Sequence, residues 1–219
     1  MTNDTDHNMI KPSVEYVRNS GKFLPIKELR FSEILVFVLE NIRIKNVCTE
    51  FYLFIILFFI SILTGITVFG FMHDVFILKT YLACLGWGAL AGSILIIPFH
   101  EGLHALAFLL IGARKIKFGA DLKQMLFYAT ADNFVAGRKG FFLVALAPFV
   151  IINLACLFFV LNAGLDVWLF LTVMLLLHNI MCIGDFAMLS FFMRHKDKEM
   201  YTFDDLETKT AWFYERVKH

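Results

Sequence analysis

The stretch "FYLFIILFFISILTGITVFGFM", residues 51–72, contains no Asp, Glu, Lys, Arg or His. The same absence extends over residues 80–99 and 141–165, and residues 167–193 contain only two such side chains. An α-helix of about 20 apolar residues crosses the roughly 30 Å hydrocarbon core of a bilayer. The sequence therefore predicts an all-α membrane protein with about four transmembrane helices. The composition agrees, because 59% of the chain is hydrophobic and only 18% is charged.

The polar ends of the chain frame this apolar region. Residues 1–50 form a charged N-terminal segment without the pattern of a removable signal peptide. Within them, residues 31–45 space their apolar side chains as in an amphipathic helix on the membrane surface or packed on the bundle. We expect three parts: this segment, a transmembrane domain over 51–193, and a C-terminal tail over 194–219.

The positive charges predict the orientation of the helices. All but one of the 20 Lys and Arg residues lie before the first span, within the loop 113–140, or after residue 193; the exception is Lys79. The positive-inside rule places these three regions in the cytoplasm. The loop alternates charged and apolar residues and then becomes rich in aromatic and small residues, which favours a β-hairpin or an extended membrane-associated loop. A net charge of +1 gives no reason to expect a nucleic-acid partner.

An ionisable motif interrupts the second apolar region. The stretch "IIPFHEGLHALAF", residues 96–108, places His100 and His104 one helical turn apart with Glu101 beside them. Two imidazoles at this spacing can bind one Zn²⁺ ion, and the glutamate can act as general base toward a water molecule. The alternative is a polar cluster that pairs with other helices. We favour the metal-binding role, because ionisable side chains at membrane depth are energetically costly.

The last apolar region offers a third ligand. Asp185 is its only carboxylate, and it lies nine residues before Arg194, much as His104 lies ten residues before Arg114. At 1.5 Å per residue, both side chains are about 14–15 Å from their predicted cytoplasmic helix ends. His100, His104 and Asp185 are therefore the predicted metal ligands.

Two further polar residues precede Asp185 in the same span. His178 lies seven residues earlier and could be an alternative ligand, a partner of a ligand, or a histidine hydrogen-bonded inside the bundle. Asn179 could stabilise an oxyanion or form an interhelical hydrogen bond, and neither is favoured.

The combination "HEGLHALAF", "FGAD…FYATAD", "VALAPFVI" and "HNIMCIGD" resembles a zincin peptidase family of bacterial membrane proteins, which is itself similar to the site-2 intramembrane metalloproteases. The resemblance covers about residues 80–205. It implies Zn²⁺ bound by His100, His104 and Asp185, with Glu101 as catalytic acid and base and Asn179 as a further catalytic residue. The sequence differs from the site-2 pattern, because Gly precedes Asp185 and no proline lies between Asn179 and Asp185.

The leading hypothesis is a zinc-dependent membrane-embedded peptidase of the bacterial cytoplasmic membrane. Its expected partners are the lipid bilayer and a protein or peptide substrate, cleaved near the cytoplasmic face. The alternative is a non-enzymatic metal-binding membrane regulator or transporter component. The tail is expected to form a small amphipathic helix on the loop; its Asp204, Asp205, Trp212 and Tyr214 could instead cap the cytoplasmic opening or contact a partner.

Overall fold

The computed structural model describes residues 12–124, 126–161 and 163–217. Runs of helices are separated by strands along these residues. The helices are α1 (Val14–Asn19), α2 (Ile34–Ile42), α3 (Val47–Met72), α4 (Leu78–Leu90), α5 (Ile97–Leu110), α6 (Arg138–Val160), α7 (Leu165–Met181) and α8 (Ile183–Arg194). The strands are β1 (Phe23–Arg30), β2 (Ile116–Asp121), β3 (Leu126–Ala131), β4 (Ala136–Gly137), β5 (Met200–Asp205) and β6 (Thr210–Arg216).

Within the described residues, three helical segments are long and apolar enough to cross a membrane, namely α3, the continuous stretch Leu78–Leu110, and α6. A fourth span is present if α7 and α8, which meet at a 45° bend, are counted as one. The stretch Leu78–Leu110 joins α4 to α5 through a π-helical turn, Ala91–Leu95. Pro98 lies in the first turn of α5, where its missing N–H leaves no hydrogen bond broken.

Small residues fix the position of this stretch against α7. A Cβ atom on Gly92 would overlap the carbonyl oxygen of Met174, and one on Gly88 would lie 2.8 Å from the carbonyl oxygen of Phe170. The two glycines are four residues apart, the spacing at which transmembrane helices approach each other most closely. Gly92 lies in the π-helical turn, which leads into α5, so this contact helps to fix where His100 lies relative to α7.

The prediction of an all-α protein is wrong, because the structure is a mixed α/β fold with two antiparallel sheets. Strands β2 and β3 form a two-stranded hairpin between the second and third spans. Strands β1, β6, β5 and β4 form a four-stranded sheet in that order. The C-terminal tail is therefore a β-hairpin within this sheet, and the helix expected there is absent from the described residues 200–217.

The four-stranded sheet combines all three polar regions of the chain. Strand β1 comes from the N-terminal segment, β4 from the loop after the second span, and β5 and β6 from the tail. Hydrogen-bonded strands cannot lie on opposite sides of a bilayer, so these regions lie on one side of the helices. Their assignment to the cytoplasm stays a prediction from the charges.

Apolar packing on both faces of the four-stranded sheet explains why the polar regions form strands. In β6, Ala211 and Phe213 are buried on one face, and Phe213 packs against Phe191 and Phe192 of α8. Phe203 and Tyr214 pack with Val17 of α1 on the other face, so the sheet is covered on both sides. Hydropathy over long windows does not detect β1, β5 and β6, because each strand is short and contains charged residues.

Candidate metal centre

The structure brings the three predicted ligands together. His100 and His104 lie one turn apart on α5, and Asp185 lies in the first turn of α8. The Nε2 atoms of the two histidines are 3.0 Å apart. The Nε2 atom of His100 is 3.4 Å from Oδ2 of Asp185, and that of His104 is 3.3 Å from Oδ1. The three side chains thus present their ligand atoms to one point.

These spacings fit a tetrahedral zinc ion. With ligand bonds of about 2.0–2.1 Å, two corners of a tetrahedron are about 3.3–3.4 Å apart, close to the observed separations. Two histidines and one carboxylate are also a ligand set of catalytic zinc, which leaves the fourth position open. The residues present therefore fit a bound Zn²⁺ ion.

The hydrogen bond of His104 supports the same conclusion. Its Nδ1 atom is 2.9 Å from the carbonyl oxygen of Val144 on α6, so Nδ1–H donates to that oxygen. In the neutral ring the lone pair is then on Nε2, the atom that faces His100 and Asp185. A backbone carbonyl in this position is how proteins commonly orient a metal-binding histidine.

His178 contacts His100 from the far side. Its Nε2 atom is 3.1 Å from Nδ1 of His100 and 3.8 Å from Sγ of Cys182. Together with His100 these two residues form a second group whose possible ligand atoms are within 4.8 Å of one another. His178 and Cys182 are fully buried and do not line the cavity described below. The group with Asp185 therefore opens onto the cavity, whereas His178 is a hydrogen-bond partner of His100.

Glu101 lies at the metal centre but has a different environment. Its Oε2 atom is buried and has no hydrogen-bond partner among the described residues. The backbone amide of Ala129 on β3 interacts with the same carboxylate. An ionisable oxygen without a protein partner, beside a group of metal ligands, is available to a water molecule or a substrate.

A cavity of about 470 Å³ opens onto these residues. Its wall is mostly apolar and comes from α2, α5, α6, the bend between α7 and α8, strand β3, and the four-stranded sheet. Besides the metal-centre residues, its polar side chains are Tyr128, Thr130 and Asp204. A largely apolar cavity with a few convergent polar groups is typical of a substrate site.

The structure places Asn179 away from this cavity. Its amide forms two hydrogen bonds with the amide of Asn153 on α6, at 2.8 and 3.1 Å. Asn179 is fully buried and does not line the cavity. The interhelical hydrogen bond is thus the observed state, and the catalytic role of Asn179 stays a prediction without a supporting contact. Asn153, an amide within an apolar span, was a signal in the sequence that had no assigned partner.

Asp204 reaches the cavity from the four-stranded sheet. It accepts a hydrogen bond from the Thr130 hydroxyl group on β3. Burial raises the pKa of the Asp204 carboxyl to about 6, against the effect of this hydrogen bond, and the charge of Asp132 raises the pKa further. Of the four tail residues expected at the opening, Asp204 is the one that lines the cavity.

Comparison with known proteins shows a similarity over part of the chain. Residues 93–200 match the model of a protein family described as "Putative zincin peptidase". The matched region contains α5, the β2–β3 hairpin, α6, α7 and α8, and so all of the predicted metal ligands. This part of the chain is similar to zincin peptidases, a class of metallopeptidases that implies zinc. No curated protein and no solved structure matches.

Proposed function

We propose that this protein is a zinc-dependent, membrane-embedded peptidase of the site-2 type, which hydrolyses peptide bonds of membrane-associated proteins near the cytoplasmic face. The observation that supports it most is the triangle of His100, His104 and Asp185 ligand atoms, with separations of 3.0–3.4 Å. Glu101 lies beside this triangle, and the cavity gives access to it.

The residues have separate roles. His100, His104 and Asp185 hold the zinc ion, which supplies Lewis acidity toward water and the scissile carbonyl group when bound. Glu101 accepts a proton from the attacking water and donates it to the leaving amine. Val144 keeps His104 in the tautomer that exposes Nε2, and His178 holds the ring of His100.

Strand β3 is suited to hold an extended substrate. It pairs with β2 on one edge, while residues 126–130 form part of the cavity wall. The amide of Ala129 on this strand faces Glu101. A peptide that adds to the cavity edge of β3 would present its backbone, one residue after another, to the general base.

The position of the site supports cleavage close to a membrane surface. The helices that carry the ligands contain the apolar spans, whereas the cavity wall is completed by the polar hairpin and the sheet. Water and a partly unfolded substrate can enter from the polar side. Strong enrichment of positive charge in the same three regions indicates that this side is cytoplasmic.

Glu101→Gln tests the mechanism. The amide keeps the size of the side chain but cannot accept the proton, so hydrolysis is expected to fall by about 10²–10⁴-fold. Zinc content, measured by mass spectrometry of the purified protein, is expected to stay at the wild-type level. Hydrolysis is followed with a quenched fluorescent peptide library in detergent micelles.

Glu50→Gln is the matched control, because Glu50 is an exposed residue in the first turn of α3. It should leave both zinc content and hydrolysis unchanged. Unchanged hydrolysis in Glu101→Gln would rule out this mechanism. Zinc binding without hydrolysis in the wild-type protein would favour the non-enzymatic metal-binding alternative.

A further inference from the structure

We propose that Asp204 selects the substrate, by binding a Lys or Arg side chain next to the cleaved peptide bond. The inference rests on the proposed function and names a substrate class for the same site. The supporting observations are the position of Asp204 in the cavity wall and the absence of a cationic partner for it within residues 12–124, 126–161 and 163–217.

The position of Asp204 links it to the catalytic region. Its carboxyl group is held by the hydroxyl group of Thr130, which follows Ala129 on β3. Ala129 is the residue whose amide interacts with Glu101. Successive residues of a strand are about 3.3 Å apart, so a side chain of a substrate held along β3 can reach Asp204 while its backbone lies at Glu101.

The two neighbouring aspartates of the same region show what Asp204 lacks. Asp205 forms an ion pair with Arg18 at 3.1 Å, and Asp132 forms one with Lys117 at 3.2 Å. Asp204 has no Lys, Arg or His nitrogen within 4.0 Å among the described residues. No Lys or Arg of the described chain lines the cavity either.

The negative charge of Asp204 exceeds what a bound zinc ion would neutralise in the cavity. In the part of the chain that the structure describes, the cavity wall contains three carboxylates, those of Glu101, Asp185 and Asp204. A bound Zn²⁺ ion has the charge of two of them, and Asp185 and Glu101 are the two at the metal centre. The third negative charge is therefore available to a cationic group that enters the cavity.

The ionisation of Asp204 is consistent with this role. Burial raises its pKa to about 6, so the carboxyl group is mostly ionised at pH 7.5 although its surroundings disfavour the charge. A partly buried carboxylate of this kind gains more from a cationic partner than an exposed one does, because solvent screens the pair less.

A purely structural role for Asp204 makes a different prediction. Its hydrogen bond with Thr130 connects β5 to β3 and could serve only to hold the hairpin. Asp204→Asn keeps an oxygen that accepts this hydrogen bond and removes only the charge. Thr130→Val removes the hydrogen bond and keeps the charge. The two variants therefore distinguish binding of a cationic substrate side chain from structural support of the hairpin.

The experiment uses full-length, zinc-loaded protein in detergent at pH 7.5 and measures binding instead of cleavage. The probes are peptide hydroxamates that differ only in the residue adjacent to the hydroxamate, which is Lys, norleucine or Glu. Norleucine has nearly the same length as Lys without the charge. The wild-type protein is expected to bind the Lys probe about tenfold more tightly than the norleucine probe, a difference of about 1.4 kcal/mol.

The variants give the deciding comparison. In Asp204→Asn the preference should fall to about one, while Thr130→Val and the control Asp132→Asn should keep a clear preference for Lys. Equal binding of the Lys and norleucine probes to the wild type would overturn the inference and leave the proposed function intact. Asp204→Asn that weakens both probes equally would also overturn it, in favour of a structural role. Failure of every hydroxamate to bind would overturn the inference together with the proposed metal centre.

Discussion

The helices and the four-stranded sheet contribute to the candidate site in different ways. The helices α5 and α8 supply the predicted ligands and Glu101, at positions fixed by one-turn spacing and by matched depth. The sheet and the hairpin supply cavity wall, including Asp204, through pairings between distant parts of the chain. In the proposed site the helices supply the reacting groups, whereas the strands form the wall that a substrate meets.

The largest expected effect is the loss of bound zinc when a predicted ligand on the helices is removed. Asp185→Ala removes the carboxylate between His100 and His104, and we expect zinc content to fall by more than tenfold, because three protein ligands are needed for a catalytic site. Mass spectrometry of the purified protein gives the metal per chain. Asp166→Ala, in the first turn of α7, is the control and should retain zinc. Wild-type zinc in Asp185→Ala would instead indicate the group of His178 and Cys182.

A change in the sheet should affect stability and leave the metal centre intact. Phe213 on β6 is fully buried against Phe37, Phe191 and Phe192. Phe213→Ala is expected to lower the free energy of unfolding by about 3–5 kcal/mol, as for other large core truncations. Thermal or denaturant unfolding in detergent measures the loss, and zinc per folded chain should be unchanged. Phe118→Ala, at an exposed position of β2, should change stability by less than about 0.5 kcal/mol. Loss of zinc in Phe213→Ala would show that the sheet also supports the ligands.

The same difference between the helices and the sheet explains which features could be predicted from the sequence. The apolar runs and the His-Glu-x-x-His spacing are local signals, and they indicated the helices and the ligand set that the structure brings together. His104 and Asp185 lie side by side, as the depth match predicts, although Arg114, from which the depth of His104 was counted, lies beyond the end of α5. The hairpin at 116–131 was one of two expected forms of its loop. The four-stranded sheet was missed because β1 pairs with residues almost a chain length away, and no local pattern encodes that pairing.

The contact of Gly88 and Gly92 with α7 was also not predicted, and its test has a smaller expected effect. Gly92→Ala would place a methyl group against the backbone of Met174, which cannot move aside as a flexible side chain can. We expect a loss of about 1–3 kcal/mol, read as a lower Tm. Gly86→Ala is the matched control, since a Cβ atom there meets no atom within 4 Å. Equal Tm values for the two variants would mean that the helices are not held by this contact.

The smallest expected effect concerns the pH dependence of stability. The pKa of Asp204 is about 6 in the folded protein, compared with about 3.9 for an unfolded chain. Between these values the folded state binds more protons than the unfolded state, so stability decreases as the pH rises from about 4 to about 6 and then levels off. In Asp204→Asn this decrease should be smaller, when melting is measured across the same range. An identical pH profile in the two proteins would contradict a buried carboxyl at this position.

The strand order β1-β6-β5-β4 determines how late in synthesis the wall of the cavity can be completed. Strand β1 precedes α3 to α8 in the chain, but its partner β6 follows α8, so the sheet cannot close until all of these helices have been synthesised. Pairing over so long a separation is also slow. The predicted ligands on α5 and α8 are therefore synthesised before Asp204 and Ala211, which complete the wall of the cavity. A nascent chain thus contains the predicted ligands before it contains the complete cavity.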